Sequence, residues 1–62
     1  MRTIRSISLY ITGRNVAQIS RDTGIAMQTI KKVQGGSNRV MHYVIQSLDE
    51  WIDHDIAKSR GI

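Results

Sequence analysis

The sequence predicts an all-α fold, a small four-helix domain, on three observations. Apolar residues in the later segments recur every three or four positions. Gly13, Gly24 and the pair Gly35-Gly36 cut the chain into pieces of helix length. Asn15 followed three residues on by Gln18 makes a capping-box pattern. Helices are expected at about 3–12, 15–23, 26–34 and 39–58 in a single domain over residues 1–62, because a chain this short supports one thin core at most. There is no proline, low-complexity run or internal repeat, so the breaks are read from glycines and caps.

The first segment admits two readings. Ile4, Ile7 and Ile11 share a helical face, whereas Ile7, Leu9 and Ile11 alternate with Ser8 and Tyr10 as a strand would; helix is the reading adopted. In the second segment Val16, Ile19, Ser20 and Thr23 oppose Gln18, Arg21 and Asp22, and Gly24 supplies the left-handed residue that commonly ends a helix. The third starts near Ala26, with Ala26, Ile30 and Val33 on one side and Gln28, Lys31 and Lys32 opposite. The fourth carries Val40, Met41, Val44, Ile45, Leu48, Trp51, Ile52 and Ile56 on a stripe of roughly 160°, wide enough to suggest a second subunit as well as the chain's own helices. Asp55 falls within that stripe, so the helix is expected to fray there or to find a basic partner.

Charge is unevenly spread. Seven of the nine Lys and Arg lie in residues 1–42 against Asp22 alone, a balance of +6, while residues 43–62 set Lys58 and Arg60 against four carboxylates, a balance of −2. A basic body with an acidic end suits a polyanion on one side, although a solvated surface with a mild basic excess reads the same way. The absence of cysteine excludes disulfides and thiolate zinc sites. No apolar run approaches the roughly 18 residues of a membrane span, and "MRTIRSISLYITGR" lacks the apolar core of a signal peptide, so a cytoplasmic protein without membrane partners is expected. His42 and His54 have no metal-ligand spacing, and the carboxylates of "DEWIDHD" spread around a helix, so no metal is expected. No nucleophile stands with a base, and there is no phosphate loop; no enzyme activity, cofactor or small-molecule ligand is expected.

The stretch "NVAQISRDTGIAMQTIKKVQGG" resembles the helix-turn-helix of phage Cro and repressor proteins. Ile19, small Ser20, Gly24, Ile25, Ile30 and Val33 stand at its structural positions, and the likeness extends over roughly residues 3–36. Thr23 departs from it where the family places a larger apolar residue, and Ala26 where the family places a capping Ser or Thr.

The resemblance implies that residues 26–33 are a recognition helix lying in the major groove of double-stranded DNA. It assigns base reading to Ala26, Met27, Gln28, Thr29 and Lys32. Gln28 suits adenine, Lys32 suits guanine acceptors, and Ala26, Met27 or Thr29 suits a thymine methyl. It assigns phosphate contact to Arg14, Asn15, Gln18, Lys31, Ser37, Asn38 and Arg39, with Asn15 adding a helix N-terminus. The implied function is a homodimeric transcriptional repressor of phage, prophage or plasmid origin. Its two recognition helices would lie about 34 Å apart on a near-palindromic operator. The dimer is expected to form through Leu48, Trp51 and Ile52 of the last helix. Two alternatives stay open: a ribbon-helix-helix regulator reading bases with Arg5, Ser8 and Tyr10 of a strand, and a protein-interaction module such as an antitoxin or antirepressor.

Overall fold

The computed structural model describes residues 1–37 and 39–60 and contains four helices: α1 (Ile4–Ile11), α2 (Val16–Thr23), α3 (Met27–Gln34) and α4 (His42–Arg60). Two of the three short helices start on a side-chain cap. The Thr3 side chain accepts the Ser6 N–H ahead of α1, and the Asn15 side chain accepts the Gln18 N–H ahead of α2. Gly24 stops α2 at φ +74°, its N–H returning to the Ser20 carbonyl at 2.8 Å. The first segment is therefore helix and the strand alternative falls. Its residues bury Ile7, Ser8 and Ile11 along one face at the helical spacing of three to four, leaving alternate Leu9 exposed.

Nine aliphatic side chains, each at most 3% exposed, form one core: Ile7, Ile11, Ile19, Ile25, Ile30, Val33, Val44, Leu48 and Ile52. Every helix contributes, and the turn between α2 and α3 contributes Ile25. At about 1.5–3 kcal/mol for each fully buried side chain, this cluster is the main stabilising term. α3 packs on α1 and α2, α4 packs on the same two helices from another side, and the backbones of α3 and α4 do not approach. The outward face of α3 thus lies clear of α4.

The centre of the wide α4 stripe is used inside the monomer: Val44, Leu48 and Ile52 are buried where α4 packs on α1 and α2, Val40, Ile45, Trp51 and Ile56 are half-buried, and Met41 is exposed. The expected place of Leu48 and Ile52 in a dimer interface is accordingly corrected to the core. Asp55 finds its basic partner, Arg14, at 2.9 Å, and α4 continues unbroken to Arg60. The start of α4 comes three residues later than expected, after Met41 accepts the Val44 N–H.

Candidate nucleic-acid interface

α2 and α3 are joined by Gly24, Ile25 and Ala26, a three-residue turn anchored from both sides. Ile25 is buried, its carbonyl accepts the Ser20 hydroxyl at 2.6 Å, and its N–H donates to Thr23 Oγ1 at 3.2 Å. Thr23 Oγ1 also donates to the Ile19 carbonyl at 2.7 Å. Thr23 therefore makes two hydrogen bonds through one hydroxyl, one back into α2 and one that ties the end of α2 to the turn. Ser20 is small where the helices approach and is also a donor across the turn. The sequence pattern carries only the first of these roles.

α3 seats Ile30 and Val33 in the core and leaves Met27, Gln28, Lys31 and Lys32 exposed. At about 100° per residue those four span an arc of about 140°, and no acidic residue occurs on α3. Lys31 lies about 60° from Gln28 and Lys32 about 40° on the other side, so both lysines flank the glutamine on one face. Thr29 is half-buried and about 100° from Gln28, on the Val33 side. It stands between the outward face and the core. Ala26 occupies the cap position at φ −59°, ψ 141°, is exposed, and supplies no side-chain cap; the Thr29 and Ile30 N–H groups go instead to its carbonyl.

The residues assigned to phosphate divide into two groups. Arg14, Asn15 and Gln18 line a groove between α2 and α4 that also holds Asp22, Glu50, Trp51, Asp55 and Lys58. Arg14 is already engaged there by Asp55, and its guanidinium carbon lies 4.5 Å from the Tyr10 ring centroid. The Asn15 side chain is committed to its cap. In the loop after α3, half-buried Ser37 accepts the N–H of exposed Arg39 at 3.2 Å. Asn38 lies outside the described residues. Lys31 stays with the outward face of α3.

The acidic end of the sequence is no separate acidic pole. Arg2 donates from its backbone to Asp49 at 2.9 Å and from its guanidinium to Asp49 at 3.0 Å and Asp53 at 2.7 Å. These contacts raise the Arg2 pKa, with Asp53 the larger cause, and lower that of Asp49, chiefly through the Arg2 N–H. The Tyr10 hydroxyl donates to Asp55 at 2.6 Å, which raises the phenol pKa. Among the described residues Arg5, Arg21, Lys31, Lys32 and Arg39 carry no ion pair within the chain. The basic surface offered to a polyanion is thus smaller than the seven cations of residues 1–42 imply.

Gln34 has a role that the sequence pattern leaves invisible. Its Nε2 donates to the Ile11 carbonyl at 2.8 Å and the Arg14 carbonyl at 3.4 Å, and its own carbonyl accepts the Ser8 hydroxyl at 3.4 Å. The end of α3 is thereby locked to the end of α1 and the entry to α2. A polar residue closing a helix before Gly35-Gly36 gives no sign of that geometry. Trp51 is half-buried beside the same groove, with its indole N–H on Asp22 at 3.1 Å, so it is neither a core residue nor an open apolar anchor.

No metal-binding cluster of His, Cys, Asp or Glu occurs among the described residues, and no helix is long and apolar enough to cross a membrane. The arrangement is that of a small helical domain presenting one cationic amide-bearing helix on a helix–turn–helix unit. No protein-family model, curated protein or solved structure matches the chain.

Proposed function

We propose that this chain is a sequence-specific DNA-binding regulator that inserts α3 into the major groove. The observation that carries the reading is the outward face of α3. Met27, Gln28, Lys31 and Lys32 stand together there, clear of α4 and free of any carboxylate on the same helix, on a support held by Ile25, Ile30 and Val33. Gln28 would pair with an adenine edge, Lys32 with guanine acceptors, and Met27 or Ala26 with a thymine methyl. Lys31 and Arg39 would meet phosphates.

The chain would act as a homodimeric repressor of phage, prophage or plasmid origin in a bacterial cytoplasm, bound to a short near-palindromic operator. A homodimer would need a surface other than Leu48 and Ile52. Exposed Met1, Leu9, Met41 and Tyr43 are apolar side chains that could supply one.

Selection of bound duplexes from a random pool tests the reading, with fluorescence anisotropy across a salt series on the recovered sequence. A two-fold symmetric consensus is expected, with log affinity falling linearly in log salt at about 0.9 per phosphate contact. Recovery of no consensus together with salt-insensitive binding would overturn it.

A protein-interaction module remains the second reading, favoured by the same exposed Leu9, Met41 and Tyr43. It would purify with a protein partner and show no salt-sensitive affinity for DNA.

A further inference from the structure

Among the described residues Arg14 is held more completely than any other cation except Arg2. Its N–H donates to the Ile11 carbonyl at 3.0 Å and its own carbonyl receives Gln34 Nε2 at 3.4 Å, so its backbone is fixed by α1 and α3. Its guanidinium lies against the Tyr10 ring and donates to Asp55 Oδ2 at 2.9 Å. The Tyr10 hydroxyl donates to that same oxygen at 2.6 Å. One carboxylate oxygen therefore takes a phenol and a guanidinium together, the contacts a phosphate oxygen would otherwise accept. Lys31 and Lys32 have no such internal acceptor among the described residues.

We infer that Asp55 acts as an internal stand-in for phosphate that withholds Arg14 from bound DNA, so the chain's own α4 trims its polyanion-binding surface. The inference rests on the DNA-binding reading above. A guanidinium held on Asp55 at 2.9 Å neutralises no phosphate and so releases no counterion from the duplex, and Arg14 adds nothing to the salt dependence of binding. The remaining contacts fall to unpaired cations such as Lys31, Lys32 and Arg39. Removal of the Asp55 charge takes away the carboxylate that competes with phosphate for Arg14.

Asp55→Asn keeps the side-chain shape and an acceptor for Tyr10 while removing the charge. Duplex affinity is measured by anisotropy over a salt series for the wild type, Asp55→Asn, Arg14→Gln, the double variant and Glu50→Gln. Glu50→Gln makes the same change in net charge at a carboxylate without an ion pair among the described residues. Asp55→Asn is expected to bind about fivefold tighter near 0.15 M salt, with a salt slope steeper by about 0.9. Glu50→Gln is expected to gain less, Arg14→Gln to stay within about twofold of the wild type, and the double variant to lack most of the gain.

Wild-type binding with an unchanged or weaker Asp55→Asn overturns this inference alone. So does an equal gain in the Arg14→Gln background. A large loss in Arg14→Gln alone, read without any change at Asp55, also overturns it, because Arg14 would then be touching phosphate already. A wild type with no salt-dependent affinity for any duplex overturns the DNA-binding reading and the inference together.

Discussion

Two glycines flank α3, and the same substitution should move stability in opposite directions at the two. Gly24 sits at φ +74°, ψ 9°, and a Cβ built there meets no atom within 4 Å, so the cost of Gly24→Ala is conformational alone. An L-residue in the left-handed region pays roughly 1–2 kcal/mol. The stiffer unfolded chain returns about 0.4–1 kcal/mol, leaving a net loss of about 1 kcal/mol. Gly35 sits at φ −77°, ψ 0°, where alanine is at ease. Its new Cβ would lie 3.5 Å from the Lys31 and Lys32 carbonyl oxygens, an ordinary contact. Gly35→Ala should therefore gain about 0.4–1 kcal/mol from the unfolded state. The two variants should differ by about 1.5–2 kcal/mol, and each kcal/mol is worth about 4–8 °C in a domain of this size. Urea unfolding followed by the fluorescence of Trp51 and by far-ultraviolet circular dichroism measures both. The reasoning is refuted if Gly24→Ala matches the wild type or if both variants shift the same way.

Four further outcomes follow from other parts of the molecule. Leu48→Ala should lose about 2–5 kcal/mol of stability because Leu48 is wholly buried in the monomer, whereas Trp51→Ala, at a half-buried site, should lose less; urea midpoints distinguish them. Ala26→Ser should stabilise α3 by about 1 kcal/mol by supplying the missing side-chain cap, and Asn15→Ala should cost about as much by removing the one on α2. Gln28→Ala should cost about 1–3 kcal/mol at one operator position and spare random DNA, and equal losses on both would take Gln28 out of the base-reading set. The fourth concerns pH. Asp49 titrates below its unfolded value, so its contribution is present above about pH 4 and is lost as pH falls through the folded pKa; Tyr10 titrates above its unfolded value, so its contribution is present below about pH 10 and is lost as pH rises through the folded pKa. Asp49→Asn should flatten the acid limb of a pH–stability profile and leave the alkaline limb in place.

The four helices and most of their limits were legible from helical periodicity and from local punctuation. Asn15 and Gly24 act within a few residues of their own positions, and local geometry of that kind survives in sequence, whereas the Thr3 cap of α1 was not read there. The outward face of α3 was legible for a similar reason, since helical periodicity alone separates Ile30 and Val33 from Gln28, Lys31 and Lys32. Thr29 borders both faces, and periodicity alone does not say how much of it the core covers.

Residue pattern by itself determined that this chain is helical, where it turns, and which side of α3 carries its amide and cations, because those properties depend on neighbours three or four positions away. Tertiary structure alone decided how α4 is used. It spends Leu48 and Ile52 on α1 and α2, turns Asp49 and Asp53 onto Arg2, and sets Asp55 against Arg14 and Tyr10. Those contacts join residues 41 to 51 positions apart, and the sign and spacing of charges along a chain do not say which distant opposite charge the packing will bring within 3 Å.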